Sequence, residues 1–256
     1  FLNNDTVVTR DCFNLLINTI EKNNKISSVQ PKIKNFFNKN LFDYAGGCGG
    51  YIDYLCYPFV KGRIFDSIEQ DIGQYDKESK IFWASGTAFL TRKDVFNKIE
   101  GFDESLFAHM EEIDYHWKCL LLGYDILSQP NALVYHKGGQ TLPYGSSKKI
   151  YLNHRNSMIL FLTNNFNLSY SSIMKRIILE KLTVLFYIMK FNLNGGYAVI
   201  KANIWLLLNI KYLKKRKKKF NESYGSDIII SSDLMKKFSV IKKYYLHQKK
   251  KFSNLN

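Results

Sequence analysis

Much that would assign this 256-residue chain quickly is absent from it. No CxxC occurs, and no metal-ligand spacing links the four cysteines, Cys12, Cys48, Cys56 and Cys119, which removes a cysteine-built metal site. They read as free, buried thiols in a reducing compartment. The glycine-rich stretch AGGCGGY, residues 45 to 51, lacks the Lys and Ser/Thr of a phosphate loop and the GxGxxG spacing before a helix, so it reads as a flexible turn. Every apolar run is broken by a charge or an Asn before it reaches ~18 residues, which excludes a good membrane span. No internal repeat is visible. FLNNDTVV has no basic start followed by an apolar stretch and does not read as a signal peptide. An initiator Met is also missing. FL before polar residues reads as the end of a buried strand, so a preceding N-terminal part is expected.

Acids are scarce towards the other end. The formal charge is +15, yet from residue 211 onward 14 Lys/Arg face 3 acids. The rest of the chain is close to neutral, and the basic character belongs to the C-terminus. A hydrophobic content of 46% over this length suits one substantial core and a smaller appendage. Basic residues are not interleaved with aromatics before the last segment, so nucleic acid is not expected as a partner.

Periodicity predicts mixed α/β structure. TRDCFNLLINTIEKN has helical spacing, with Thr9 as its N-cap. ISSVQPKI reads as a short strand, and residues 40 to 79 as a long ordered loop region. IFWASGTAFLTR reads as a buried strand and RKDVFNKIEG as a short helix closed by Gly101. HMEEIDYHWKCLLLG is a helix with Gly123 just past its end. DILSQ and ALVYHKGG read as strand, turn, strand, and KIYLNHRNSMILFLTNN as another helix. This alternation predicts an α/β layer domain over residues 1–165. Residues 166–256 read as a helical basic extension: two apolar helices, the run KKRKKK, then a basic amphipathic helix with a disordered end.

The stretch FAHMEEIDYHWK carries Glu111, Glu112 and Asp114 within four positions. On a helix, Met110, Ile113, Trp117 and Leu120/Leu121 form one apolar stripe. Glu111 and Asp114 share a face with Lys118, and Glu112 shares another with His116. Glu112 and Asp114 lie about 200° apart, so one pocket does not easily use both. Two readings stay open from the cluster alone. The acids decorate a helix start, where the dipole favours them, or one faces a cleft and takes a proton from a substrate hydroxyl.

NND, Asn3, Asn4 and Asp5, follows the presumed strand end, where ligands sit in open α/β sheets. An Asp there can hold a hard divalent cation and an adjacent Asn can hydrogen-bond a sugar hydroxyl. His136, in VYHKGG, ends another strand before a glycine turn. Asp5 and His136 together can supply two ligands, with water and phosphate oxygens completing the shell. Arg155, in YLNHRN, can reach a diphosphate, and Trp83 can stack on a sugar ring. Their plainer readings are a surface helix Arg and a core Trp; Trp117, on the apolar stripe, reads as packing.

In the order FLNND, IFWASGTAFLTRKDVFNKIEGFDESLF, EEIDYHWK, GYDILSQPNALVYHKGG, the sequence resembles the family 2 glycosyltransferases of the GT-A, Rossmann-like fold. It is most similar to the bacterial rhamnosyltransferase-like branch that builds surface polysaccharides. The resemblance covers most of residues 1–165 and implies that the first, nucleotide-binding strands and helices precede Phe1. It places Asp5 at the family's DXD-type metal motif and implies Mg²⁺ or Mn²⁺, with His136 completing the site and Asn3 and Asn4 near the donor. It places Ala84 to Gly86 beside donor sugar and acceptor, with Ser85 and Gly86 as contacts. Glu112 falls on the general base, and Glu111 and Asp114 become supporting acids. Two positions depart from the family pattern: the first metal-motif position is Asn rather than Asp, and the base is Glu rather than Asp. The implied activity is inverting transfer from a nucleotide-diphosphate sugar to a hydroxyl of a glycan or lipid-linked acceptor. The alternative is a degenerate, non-catalytic sugar-nucleotide or glycan-binding protein. The basic tail after apolar helices predicts a cytoplasmic protein held peripherally on an anionic membrane surface.

Overall fold

The computed structural model describes residues 1–138, 145–166, 168–225 and 230–255. It is mixed α/β and divides into two compact units. The first comprises Phe1–Phe102, Tyr115–Gln140 and Asp227–Asn256; the second comprises Asp103–Asp114 and Thr141–Ser226. The expected boundary near residue 165 is therefore replaced by a discontinuous division.

The first unit opens with β1 (Thr6–Val8), α1 (Cys12–Glu21) and β2 (Ile26–Asn35). The helix turns Cys12, Leu16 and Ile20 inward, which is the spacing read from the sequence. Its N-cap is Asp11 rather than Thr9, whose hydroxyl instead donates to the Leu133 carbonyl at 3.1 Å. β2 is buried along its first eight residues, and Val29 and Ile33 pack with α1. Residues 40 to 79 are not a loop. They contain β3 (Gly50–Asp53), β4 (Pro58–Val60), β5 (Arg63–Ile64), β6 (Ser67–Ile68) and β7 (Ser79–Lys80). Strands this short leave no periodic trace in a sequence.

IFWASGTAFLTR is strand only at β8 (Leu90–Thr91), followed by α2 (Lys93–Lys98), with Gly101 beyond it at φ +73°. α3 (Glu111–Leu121) ends before Gly123 at φ +82°. β9 (Asp125–His136) is one strand where two were expected. It runs parallel to β2, with a register shift after Pro31 that pairs Lys32 with Leu133. Pro31 has no N–H for the ladder, and the irregularity absorbs it. The strand order is β1-β9-β2-β8, with β7 also on β9.

A second sheet has the order β10-β3-β4-β5-β6, where β10 is Met235–Lys236. The terminal segment is thus neither a long amphipathic helix nor an unstructured end. Asp53, fully buried, accepts from the amides of Leu55 and Tyr57 and, through Oδ2, from Val240 at 2.9 Å. Phe252 packs against Tyr51, Phe59 and Tyr75. These aromatic contacts and the buried carboxylate outweigh the helical preference of the lysines.

The second unit contains α4 (Ser147–Thr163), α5 (Tyr170–Met189), α6 (Leu193–Leu208) and α7 (Ile210–Tyr224). Ser146, Ser169 and Asn192 cap the first three with side-chain oxygens. α6 packs on α4 and α5 through Ala198 and Val199. No helix among the described residues is long and apolar enough to cross a membrane.

Candidate functional site

In the first unit, strand register brings distant residues together. β1 pairs antiparallel to β9, with Thr6 opposite His136, so Asp5 lies beside the end of β9. The Lys137 amide donates to the Asp5 carbonyl at 3.0 Å. Asp5 Oδ1 is 3.2 Å from His136 Nε2. On the other side of the ring, Asp43 Oδ1 is 2.8 Å from Nδ1. Asp43 gets there because the chain turns after β2 and its amide donates to the Ile33 carbonyl at 3.0 Å. Asp43 and His136 are buried and Asp5 is partly buried. Burial lowers the His136 pKa, but the two carboxylates outweigh it and the net shift is upward.

Asp5 and His136 fit a small divalent cation in number and spacing. Two adjacent ligands of an octahedral ion sit roughly 3 Å apart when each bond is ~2.1 Å, close to the 3.2 Å observed. A carboxylate on Nδ1 holds the proton there and leaves Nε2 as the ligand nitrogen, the usual outer-shell arrangement. Among the described residues no group of three or more His, Cys, Asp or Glu is arranged to hold a metal ion. The two-residue site would depend on water or substrate oxygens for the remaining ligands.

The NND turn lies next to the ASG stretch, 80 residues on: the Asn3 amide donates to the Thr87 carbonyl at 2.9 Å. Asn3 and Asn4 are exposed. Ser85 is buried and donates to the Ala45 carbonyl, while its amide donates to Gln30 Oε1 at 2.7 Å. Its polar atoms therefore support the turn rather than face a ligand. A Cβ on Gly86 would meet nothing within 4 Å, so that residue borders open space. The Ala84 amide donates to Nδ1 of the fully buried His116, which props the same turn.

Trp83 does not offer a sugar-stacking face. It is 4% exposed, donates from Nε1 to the Tyr51 carbonyl at 3.0 Å, and lies so close to Gly50 that a Cβ there would fall 2.1 Å from the ring. The glycines of AGGCGGY are accordingly packing sites, not a flexible turn. The four cysteines are free and buried; burial lifts the thiols of Cys12, Cys48 and Cys119 to about 11.

In the second unit the carboxylates follow a strained loop. Phe107 has φ 63° and ψ −59°, and the Ala108 amide donates to the Leu106 carbonyl at 2.8 Å, which makes a γ-turn of the rare, strained kind. His109 and Met110 also have positive φ, 66° and 75°. Such residues cost about 1–3 kcal/mol each and persist only when their surroundings hold them. Asn156, fully buried on α4, provides the hold: its Nδ2 donates to the carbonyls of Leu106, Ala108 and His109 at 2.8, 2.9 and 2.7 Å. Arg155 adds bonds to the carbonyls of Ser105 and Leu106, both at 3.1 Å. Its guanidinium, expected to reach a diphosphate, is committed to this loop and to the face of Trp205.

α3 starts directly after the loop, and its first turn holds all three acids. Asp114 is fully buried, 2.7 Å from Arg216 and 2.7 Å from Asn164 Nδ2. It is structural, which corrects its expected place among the ligand contacts. Glu111 and Glu112 are half-buried. Burial, and then the Glu111 charge, push Glu112 up to about 8. Burial raises Glu111 as well. Among the described residues, Glu111 Oε2 and His109 Nε2 are buried and meet no hydrogen-bond partner. Burial, helped by the Lys149 charge, lowers His109 to about 4, so its ring is neutral at pH 7.

Asp43, His109, Asn156 and Arg216 are the residues that motif reasoning passed over. HRN and KKRKKK were visible, but nothing in either spacing said which side chain turns inward. No family model matches the chain, and no curated protein matches it.

Proposed function

We propose that the chain belongs to an inverting, metal-dependent glycosyltransferase of the GT-A type, acting from a nucleotide-diphosphate sugar on a hydroxyl of a glycan or lipid-linked acceptor. One observation carries the reading. Asp5 and His136, 131 positions apart in sequence, stand 3.2 Å from one another with Asp43 on the far ring nitrogen. Their donor set suits a cation that binds phosphate oxygens. The motif order, and a carboxylate tuned towards neutral pH at Glu112, add support.

The motif order, rather than any placement of one unit against the other, gives Glu112 the role of accepting the acceptor's hydroxyl proton as that oxygen bonds to the anomeric carbon of the donor. The bond from that carbon to the diphosphate oxygen breaks in the same displacement, its electron pair leaves with the nucleoside diphosphate, and the configuration inverts. Asp5 and His136 would hold Mg²⁺ or Mn²⁺, which would supply positive charge for a leaving diphosphate. Asn3 and Asn4 offer amides to the sugar, and Gly86 leaves room for it. Glu111, sharing the charge burden with Glu112, keeps the base's proton affinity high. His109, neutral, adds no positive charge to oppose this.

A thermal-shift panel of nucleotide-diphosphate sugars on the intact protein, with and without Mn²⁺, tests the assignment. One donor class should raise Tm in a Mn²⁺-dependent way. Stabilisation by free glycans with no response to any nucleotide sugar would favour a non-catalytic glycan binder.

A further inference from the structure

Helices α5 and α6 are joined by residues 190–192 and packed on each other, close to Tyr187, where Gly195 leaves no room for a Cβ. Each keeps a second apolar stripe in solvent. On α5 it is Ile178, Leu182, Leu185 and Met189; on α6 it is Leu193, Tyr197, Ile200 and Ile204, continuing to Leu207 and Leu208. The spacing of four, three and four residues is that of a buried helix face. Yet α6 already buries its opposite side through Gly196, Val199, Ala202 and Leu206. The stripes are most open at the helix connection, where Met189 is 80%, Phe191 93% and Leu193 68% exposed.

Along the sequence of these helices the charge is almost all of one sign. Between Asp125 and Glu222 the sequence holds a single acid, Glu180. That residue is buried against Arg176 and His154. Exposed Lys175 and Lys181 flank the α5 stripe, Lys190 sits in the connection, and Lys201 borders the α6 stripe. α7 follows with further exposed lysines. An exposed apolar face bordered by these lysines disfavours pairing with a second copy of itself. It matches a surface that is apolar beneath and negative above: lysine stems cover apolar ground while their ammonium groups reach headgroups.

We infer that the α5–α6 hairpin is a membrane-docking element, which lies on an anionic bilayer with Met189, Phe191 and Leu193 entering the acyl boundary and the lysines of α5, α6 and α7 holding phosphate headgroups. The inference does not depend on the transferase reading. It requires no spanning helix, in keeping with the helices described.

Cosedimentation of the intact protein with vesicles of phosphatidylcholine alone, or with 30% phosphatidylserine, tests it. Binding should require the anionic lipid and weaken with salt. Replacing Lys214, Lys215, Lys218 and Lys219 by Gln should lower partitioning about fivefold per charge near the surface. Met189→Ser with Phe191→Ser should lower it at least about tenfold, since two apolar side chains leave the bilayer, with an unchanged circular dichroism spectrum. Phe191→Trp should show blue-shifted emission, quenched by brominated lipid. No binding to anionic vesicles, equal binding to neutral ones, or an unquenched Trp at position 191 would overturn the inference. So would a concentration-dependent dimer abolished by the Met189/Phe191 double change.

Discussion

Arg216, the one arginine in a run of six basic residues, closes a buried ion pair with Asp114 at 2.7 Å. It also bonds Asp103, Asn164 and Thr163. A tail that looks uniformly solvated thus contributes one side chain to the interior, and that side chain removes Asp114 from the candidate catalytic acids. Arg216→Ala strands a carboxylate with no exposure and should destabilise the protein by about 3–5 kcal/mol. Lys218→Ala, on the exposed side of the same helix, should change stability by no more than about 0.5 kcal/mol. Urea denaturation of both variants decides this.

Glu112 carries a stability signature besides its chemical one. Its folded pKa is raised from 4.5 to about 8, so its neutral form suits the folded state. The stability this represents is fully present below pH 4.5, is lost progressively as pH rises, and is gone above pH 8. Glu112→Gln should therefore flatten the fall in stability over that window and be more stable than the parent above pH 8. Thermal unfolding across pH 4 to 9 measures it.

Asp43 fixes the His136 ring without being a ligand itself. Asp43→Asn should keep the fold yet weaken Mn²⁺ binding about 10- to 100-fold, the usual effect of losing an outer-shell carboxylate. Titration of Mn²⁺ followed by electron paramagnetic resonance reads this without any turnover. His136→Ala should abolish the specific site.

Asn156 has the same relation to the loop before α3. Asn156→Ala releases three carbonyls from one amide and relaxes residues 107 to 110. Turnover should fall about 100-fold through misplacement of the carboxylates, while Mn²⁺ affinity stays unchanged. Limited proteolysis should show new cleavage near Phe107. A variant that loses stability alone, with normal kcat, would make Asn156 merely a packing residue.

Sequence patterns carried the fold where elements are long. α1, α3, α4, α5 and α6 follow apolar spacing, and the stripe Met110, Ile113, Trp117 and Leu120/Leu121 is buried as expected. They failed where pairing, not periodicity, makes the structure. Strands of two to four residues within 50–80 leave no repeat, and the terminal segment is drawn back by Asp53 and Phe252 against its local preference. For the candidate site, His136 ends β9 as its sequence context suggested, whereas Asp5 comes before β1 rather than after a buried strand, and Phe1 and Leu2, read as the end of such a strand, are exposed. The commitments of Arg155, Trp83 and Asp114 were not legible, because a side chain's partner depends on helix–loop packing that no spacing encodes.

The central claim is that Glu112 is the base of a sugar transfer. Its most direct test is Glu112→Gln in the intact protein, with donor binding and transfer measured on one preparation. The account predicts donor and Mn²⁺ affinities within about twofold of the parent and turnover lower by ~10²- to 10⁴-fold. Parental turnover with Gln at position 112 would contradict it.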